Sequence, residues 1–218
     1  MKVRNKNSIP LSVVKRFPKY HALLQRLLQD SVQWVSSQEM AESLGLTSST
    51  VRQDLSHLDF SGISKRGYSV EGLEKIMGKA LGAHHETRIV IVGAGNLGRA
   101  LALHAEFAAK GFKICGIFDS DSKLSGRRVG DMLVETMGEL RDVVRERKVD
   151  IGVIAVPAGS AQEVADQLVR SNIRGILNLA HVHLLIPRSV SVVDTRIIAS
   201  LQELSYAIRT NSYARAIY

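Results

Sequence analysis

Three glycines with the spacing Gly-x-Gly-x-x-Gly directly follow an apolar run, RIVIV at 88–92. The first can make a tight turn, the second lets a ligand approach the backbone, and the third lets the next helix pack closely on the strand. The free amides at the start of that helix favour an anion such as a pyrophosphate. The spacing therefore predicts a dinucleotide-binding loop made of Gly93, Ala94, Gly95, Asn96, Leu97 and Gly98.

An acidic residue lies where such a loop needs a partner for the adenosine ribose. Asp119 ends the second apolar run, 21 residues after the last glycine. A carboxylate there accepts from ribose hydroxyls and repels a 2′-phosphate, so NAD(H) is expected in preference to NADP(H). Asp121 is a second candidate for this role, and Arg127 and Arg128 could weaken the preference. Pro157 follows a later apolar run, at an edge where open α/β sheets bind ligands, and is expected to contact the cofactor.

The sequence assigns no catalytic residue and no metal site. A hydride-transferring enzyme needs a proton donor or acceptor, and the candidates are His181 and His183. Neither has a nearby acid, so both are expected to be structural. The adjacent His84 and His85 point in different directions and do not form a metal site by themselves. After the glycine loop the chain has room for one nucleotide domain, and a separate substrate domain is missing.

Earlier in the chain, three residues have the spacing of a helix-turn-helix unit. Ala41 is small, as the contact between the two helices requires, and Gly45 follows four positions later in the turn. Val51, six positions further, is the β-branched residue that packs the second helix onto the first. The triple spacing favours DNA binding over an ordinary helical hairpin with a solvated polar face.

The second of these helices has an apolar stripe, Val51, Leu55 and Leu58, that is expected to face inward. The opposite face then carries side chains of the types that read grooves. Arginine suits guanine, glutamine suits adenine, and serine suits phosphate. The residues expected to face DNA are Ser49, Arg52, Gln53 and Ser56.

A short basic hairpin is predicted after these helices. Residues 63–64 can pair with residues 68–70 around a tip that carries Lys65 and Arg66. A two-stranded wing with arginine at its tip can enter the minor groove, where the negative potential is enhanced. The alternative is a solvated turn.

Hydrophobic periodicity predicts the elements that position these residues. The front part is expected to be helical, with a first helix over 11–28, continuous or divided at Pro18, and a second that begins near Ser37 and ends at Leu44–Gly45. A third helix, capped by Thr47 or Ser48, covers 48–58. After residue 86, strand-like runs alternate with amphipathic stretches, which implies a parallel sheet covered on both faces. The strands are expected at 88–92, 113–118, 151–156 and 175–179, and the helices near 97–109, 137–147, 160–170 and 195–209.

Composition excludes several classes of protein. With 218 residues, 45% of them hydrophobic and 23% charged, the chain is neither disordered nor of low complexity. No apolar run is long enough for a membrane span and the N-terminus lacks a signal peptide, so a cytoplasmic protein is expected. The single cysteine, Cys115, is expected to be a buried apolar residue of a strand, and the alternative is a reactive thiol. The net charge is +8, and residues 1–85 hold 12 Lys and Arg against 7 Asp and Glu. Such a basic segment is typical of a protein with a polyanion partner, but many basic proteins bind no nucleic acid.

The whole chain resembles the Rex family of redox-sensing transcriptional repressors from about Ile9 to Tyr206. The resemblance is carried in one order by SS-x-E-M-A, TVRQDL, GYSVEGL, IVGAGNLGRAL, FDSD, VPA-x-x-AQ-x-VA, ILNLA and LQELSY. It implies an α/β chain with an N-terminal winged helix-turn-helix domain, a Rossmann-type doubly wound sheet and a C-terminal helix swapped across a homodimer. It also implies a non-enzyme that binds double-stranded DNA at a palindromic operator and NAD(H) at the glycine loop.

The resemblance implies that Arg52, Lys65 and Arg66 contact DNA. The chain departs from the family pattern at two positions. Gln53 stands where the family usually has lysine. Arg196 stands where some members have an acid that pairs with an N-terminal arginine, here Arg16, so the switching ion pair differs or is absent. The expected domains are 1–85 for DNA, 86–194 for the cofactor and 195–218 for dimerisation.

Two functions of different classes are therefore compared. The first is a repressor that senses the ratio of NADH to NAD+ and leaves its operator when NADH binds. The two cofactor forms differ only at the nicotinamide, so discrimination between them is expected near that ring, the dimer interface and the swapped helix. The second is an NAD-dependent oxidoreductase, or a nucleotide- or CoA-binding module, with a helical N-terminal appendage. The helix-turn-helix spacing and the basic wing favour the repressor.

Overall fold

The computed structural model describes residues 9–82 and 86–210 of the chain. These residues form two compact units, one on each side of the undescribed residues 83–85. His84 and His85 lie outside the described residues, as do residues 211–218 at the end of the predicted dimerisation segment. Each unit is described by itself.

The first unit combines helices with a very short antiparallel sheet. In chain order its elements are α1 (Leu11–Val14), α2 (Phe17–Gln29), β1 (Trp34–Val35), α3 (Ser37–Leu44), α4 (Ser48–Leu55), β2 (Tyr68–Ser69) and α5 (Val70–Ala80).

The helix predicted over 11–28 is divided into α1 and α2, and the break lies two residues before Pro18, the expected position. The boundary lies at Lys15 and Arg16, and Pro18 sits in the first turn of α2. Proline is tolerated there because the amides of a first turn have no partner within the helix. Phe17, Tyr20 and Leu24 then face the core of the unit on one side of α2.

The predicted helix starts in the helix-turn-helix region are confirmed. The Ser36 hydroxyl accepts from the Glu39 amide at 3.1 Å while the Glu39 carboxylate accepts from the Ser36 amide at 2.7 Å, which completes a capping box. Gly45 ends α3 with a φ of +64°, a left-handed conformation that favours glycine. Thr47, and not Ser48, caps α4.

The predicted wing hairpin is wrong in its pairing. Ile63 bridges Gly67 and closes the turn, but Tyr68 and Ser69 pair with β1 rather than with residues 63–64. The partner strand lies more than thirty residues earlier in the chain. Residue Val70, expected at the end of a strand, is instead the first residue of α5.

Helix α5 was not among the helices predicted from the sequence. The Ser69 hydroxyl caps it by accepting from the Gly72 amide at 3.3 Å. Val70, Leu73 and Met77 repeat at helical spacing and are fully buried, in the same core as α2. The helix thus packs on α2, which in turn contacts α3.

The second unit is built on a seven-stranded sheet. Its strands and helices in chain order are β3 (Thr87–Val92), α6 (Asn96–Ala102), α7 (Glu106–Ala109), β4 (Phe112–Asp119), β5 (Arg128–Val129), β6 (Met132–Thr136), a 3₁₀ turn (Met137–Glu139), α8 (Leu140–Glu146), β7 (Ile151–Ile154), α9 (Ala158–Arg170), β8 (Gly175–Asn178), β9 (Ser191–Asp194) and α10 (Ile197–Thr210). The spatial order is β5-β6-β4-β3-β7-β8-β9, and only the β5–β6 pair is antiparallel. The predicted parallel α/β sheet is confirmed.

Alternation along β3 shows why the sheet is covered on both faces. Val90 and Val92 belong to one apolar cluster, whereas Ile89 and Ile91 belong to another. Successive strand residues point to opposite faces, so a run of branched apolar residues serves two cores at once.

Cys115 on β4 is half-buried beside the cluster that contains Val90 and Val92, and burial raises the pKa of its thiol.

Two predicted helices of this unit have different bounds from those expected. The stretch 97–109 forms α6 and α7 with a break between them, and the last helix begins at Ile197. Helix α10 is amphipathic, yet Ile197, Leu201 and Ile208 are each more than half exposed. Within the described ranges, none of the helices is long and apolar enough to cross a membrane.

Candidate functional site

The glycine loop lies between β3 and α6, and glycine suits its three positions for three different structural reasons. Gly93 has a φ of +108°, and a Cβ there would lie 2.4 Å from the carbonyl oxygen of Ala155. A Cβ at Gly98 would lie 1.8 Å from the Gly93 carbonyl oxygen. A Cβ at Gly95 would meet no atom within 4 Å, so this residue faces open space. The loop therefore packs tightly at both ends and is open in the middle, as an approaching pyrophosphate requires.

A cleft of about 310 Å³ begins at this loop and lies at the carboxyl ends of the parallel strands. Four of the predicted cofactor residues line it, namely Gly93, Gly95, Asp119 and Pro157. The other four do not line it: Ala94 and Gly98 are buried, whereas Asn96 and Leu97 are exposed on the first turn of α6.

Asp119 is tied to the glycine loop by a direct hydrogen bond. Its Oδ2 accepts from the Ala94 amide at 2.7 Å, and its Oδ1 accepts from the Asp121 amide at 2.9 Å. Asp121 in turn accepts from the Lys123 amide at 2.9 Å and also lines the cleft. The carboxylate at the end of β4 thus braces the loop while remaining at the cleft wall.

The cleft is acidic. Asp119, Asp121 and Glu163 line it, and its described lining residues include no lysine or arginine. Arg127 was expected to be able to offset the repulsion of a 2′-phosphate, but its guanidinium donates to the Lys123 carbonyl oxygen at 3.0 Å. Neither Arg127 nor Arg128 lines the cleft, so the negative lining is not offset by these side chains.

Helix α9 supplies a side of the cleft that sequence reasoning missed. Ser160, Glu163, Val164 and Gln167 follow Pro157 at helical spacing and all line the cleft. The signal was present in the sequence, because these residues lie at intervals of three and four along one helix face. His181 and His183 are exposed and are not among the lining residues.

In the first unit, the helix-turn-helix residues pack as predicted. Ala41 and Val51 are almost completely buried in the same apolar cluster, and Gly45 makes the left-handed turn between them. Leu55 and Leu58 continue the inward stripe. Helix α4 is thereby held with its polar face outward.

The four side chains predicted to face DNA are all exposed on or beside α4: Ser49, Arg52, Gln53 and Ser56. Arg52 donates from Nη1 to the Ser37 hydroxyl at 3.1 Å, which links the two helices of the unit on their outer side. The Ser56 hydroxyl donates to the Gln53 carbonyl at 2.7 Å. Lys65 and Arg66 are likewise exposed in the turn of the wing.

One residue of α4 points inward and carries a charge. Asp54 is 2% exposed and accepts from Arg16 twice, at 2.6 Å from both Nε and Nη2, and from the Tyr20 hydroxyl at 2.7 Å. Burial alone would raise the pKa of the Asp54 carboxyl, but the hydrogen bonds from Arg16 and Tyr20 outweigh burial and leave this pKa below its ordinary value. The pKa of Tyr20 is raised by burial and by its bond to the carboxylate. Sequence reasoning considered Arg16 but missed Asp54, which is 38 residues away.

The comparisons with known proteins cover both units. A family model described as "CoA binding domain" matches residues 84–182, and one described as "Putative DNA-binding protein N-terminus" matches residues 8–56. The redox-sensing transcriptional repressor Rex 1 of Thermotoga maritima is 45% identical over 94% of this chain and 98% of its own length. A crystal structure of RSP with β-NAD+ and operator DNA has a TM-score of 0.89 at 35% identity and covers 95% of this chain and 96% of RSP. The structure of RSP with β-NADH has a TM-score of 0.85 at 35% identity, with 96% and 99% covered.

Fold and sites together define a class of transcription regulators that carry a winged helix and a Rossmann-type nucleotide cleft in one chain. The relatives match this chain almost from end to end and are named as repressors, not as enzymes. The chain belongs to the Rex family of redox-sensing transcriptional repressors.

Proposed function

We propose that this chain represses transcription by binding a palindromic operator as a homodimer, and that NADH binding releases it. One observation carries the proposal: a helix-turn-helix surface and an acidic glycine-loop cleft occur in a single chain that Rex relatives match over 94% or more of its length. RSP, a Rex-family repressor, has been crystallised with β-NAD+ and operator DNA and with β-NADH. The same ligands suit the two sites of this chain.

The cofactor site is proposed to hold NAD(H) at the cleft beside the glycine loop. The open space at Gly95 admits the pyrophosphate, and Asp119 at the end of β4 accepts from the adenosine ribose. The first-turn amides of α6 near Asn96 and Leu97 favour the phosphate charge, while Ala94, Gly98 and Pro157 shape the walls. No step of this role requires a catalytic side chain.

Charge in the cleft separates NAD(H) from related nucleotides. NADPH carries an extra phosphate on the ribose 2′ position, and coenzyme A carries one on the 3′ position. Asp119, Asp121 and Glu163 would face either phosphate with negative charge, and no described lining residue compensates. The cleft therefore favours NAD(H) over both, although the matching family model is described as a CoA-binding domain.

The DNA site is proposed to combine α4 and the wing. Arg52 and Gln53 read base edges in the major groove, and Ser49 and Ser56 contact phosphates. Lys65 and Arg66 project from the wing turn towards the adjacent minor groove. All six side chains are exposed.

The homodimer is proposed to form through the C-terminal segment, residues 195–218. Its described helix, α10, exposes an apolar face that its own unit leaves uncovered: Ile197, Ile198, Leu201, Leu204 and Ile208. A second copy of the chain is the partner that buries this face. The proposed DNA-binding and cofactor domains are residues 1–85 and 86–194, and the proposed location is the cytoplasm.

A mobility shift tests the proposal. The purified chain is bound to a palindromic operator and titrated separately with NAD+, NADH, NADPH and coenzyme A at fixed salt. We expect NADH to dissociate the complex at concentrations at which the other three have little effect. Release by coenzyme A and not by NADH would instead support a CoA-responsive module. Absence of operator binding, in a sample that still binds NADH, would overturn the repressor proposal.

A further inference from the structure

The wing carries an aromatic–cation contact that the family assignment does not explain. The guanidinium carbon of Arg66 lies 4.0 Å from the centre of the Trp34 ring. Trp34 belongs to β1, before the helix-turn-helix, whereas Arg66 lies in the turn that precedes β2. At this distance the cation is attracted by the negative face of the indole, and the flat guanidinium can stack on the ring.

The turn that carries Arg66 is fixed by the backbone. The Ile63 amide donates to the Gly67 carbonyl at 2.7 Å, and the Gly67 and Arg66 amides donate to the Ile63 carbonyl at 2.9 and 3.0 Å. Gly67 has a φ of +91°, and a Cβ there would lie 2.4 Å from the Val35 carbonyl oxygen. The turn therefore rests directly on β1 and has little freedom to move away from it.

The strand that carries the Trp34 ring is fixed in the same way. Trp34 pairs with Ser69 and Val35 with Tyr68 across the two short strands. The Val70 amide donates to the Gln33 carbonyl at 3.0 Å and extends this pairing by one bond. Both partners of the stacked pair are thus held by one antiparallel element.

The Trp34 ring contacts the guanidinium of Arg66 and offers it no oxygen acceptor. Within residues 9–82 and 86–210, no carboxylate lies within 4 Å of the Arg66 guanidinium nitrogens. The side chain is exposed and its five donors remain available to acceptors outside the protein. An arginine held against a ring, without a carboxylate partner, is available to meet phosphate or base oxygens.

We propose that Trp34 is a positioning residue for operator binding, because its ring holds Arg66 in the orientation in which the wing meets DNA. The proposal rests on the proposed DNA contact of Arg66. A free arginine loses side-chain entropy when it binds, and an arginine already stacked has lost part of it before DNA arrives. Trp34 itself makes no contact with phosphate in this account.

Salt dependence separates positioning from direct contact. Each phosphate-neutralising cation contributes about one to the slope of log affinity against log salt. Removal of Arg66 should therefore lower the slope by about one per wing, or about two for the homodimer, whereas removal of Trp34 should weaken binding at all salt concentrations and leave the slope unchanged. From the usual strength of exposed cation–π pairs, we expect Trp34→Leu to weaken the operator complex about two- to fivefold per wing.

The experiment is a double-mutant cycle in the full chain, read by the anisotropy of a labelled operator across a salt series. Trp34→Leu should weaken binding as stated, Trp34→Phe should restore most of the loss, and Arg66→Met combined with Trp34→Leu should be no worse than Arg66→Met alone. The matched control is Lys65→Met, the neighbouring cation of the same turn, whose effect should add to that of Trp34→Leu. Additive effects at Arg66, or tighter binding by Trp34→Leu, would overturn the proposal.

Failure of the wing itself gives a different result. If Arg66→Met binds the operator like the unmodified chain, the proposed DNA contact of Arg66 is wrong. If Arg66→Met weakens binding and Trp34→Leu does not, only the positioning role is wrong.

Because Trp34 is the single tryptophan of the chain, its quenching by acrylamide gives a second measurement that needs no change at position 34. Quenching should increase in Arg66→Met and not in Lys65→Met, and equal quenching in all three proteins would refute the stacking.

Discussion

Arg16 and Asp54 form a bidentate ion pair that links the start of α2 to the inner face of α4, with both N–O distances at 2.6 Å. The Asp54 side chain is 2% exposed and the Arg16 side chain 30% exposed. A buried carboxylate without a partner is far more costly than a partly exposed guanidinium without one. Loss of Arg16 should therefore lower the free energy of unfolding more than loss of Asp54.

Replacement of Arg16 by Met should destabilise the first unit by about 3 kcal/mol, because Asp54 would remain buried with only Tyr20 as a donor. Replacement of Asp54 by Asn should cost about 1–2 kcal/mol, because Arg16 can turn to solvent. Urea unfolding is followed by Trp34 fluorescence, which reports on this unit, and by circular dichroism, which also reports on the helices of the other unit. The control is Arg145→Met, which breaks an exposed pair with Asp142 in the other unit and should cost less than about 0.5 kcal/mol. Equal losses for Arg16→Met and Arg145→Met would contradict the buried pair.

The same carboxylate predicts how stability depends on pH. The folded-state pKa of Asp54 is lower than its unfolded value of about 3.9, so its contribution is fully present above that value and is lost as the pH falls through the folded pKa. The first unit should therefore lose stability below about pH 4. In Asp54→Asn this part of the acid dependence should be absent. Identical acid-unfolding curves for the two proteins, followed by Trp34 fluorescence, would rule out the contribution of Asp54.

Arg52 should decide base preference at the operator. Replacement by Ala should cost about 1–3 kcal/mol in binding and relax the preference at one base position, since arginine reads guanine through two donors. Replacement of the neighbouring Ser56 by Ala is the control and should weaken all sequences slightly. Competition assays with single-base operator variants make the comparison. If Arg52→Ala keeps the affinity and the base ranking of the unmodified chain, the assignment of α4 as the reading helix is wrong.

Asp119 should decide the choice of cofactor. Replacement by Asn should weaken NADH binding and narrow the preference over NADPH, because the cleft loses one negative charge beside the ribose. Asp121→Asn is the matched control, since it removes a charge from the same cleft two residues away. NADH and NADPH affinities from fluorescence titration give the ratio. A larger change in Asp121→Asn than in Asp119→Asn would transfer the ribose role to Asp121.

Local spacing was enough to predict the glycine loop, the parallel sheet and the helix-turn-helix. In each case the reason lies within a few residues, as for Gly93 and Gly98, or in a regular repeat, as for Val51 and Leu55. Helix α5 could have been predicted in the same way, from the helical spacing of Val70, Leu73 and Met77.

Long-range pairing could not be predicted in the same way. The two-residue strands β1 and β2 are too short to show a period, and their pairing joins Trp34 to Ser69. The partner of Asp54 is likewise decided by how α2 packs on α4 and not by sequence spacing. Such contacts depend on tertiary packing, which is where reading a single sequence fails.

In the proposed function NADH and operator DNA weaken each other's binding, and one measurement tests this antagonism most directly. The affinity for NADH is determined by fluorescence titration, first without DNA and then with saturating palindromic operator. Linkage requires that operator DNA weaken NADH binding by the same factor by which NADH weakens operator binding, and a coupling of about 1–3 kcal/mol corresponds to roughly 5- to 150-fold. We predict a weakening in that range. An NADH affinity that is unchanged by saturating operator would contradict the account.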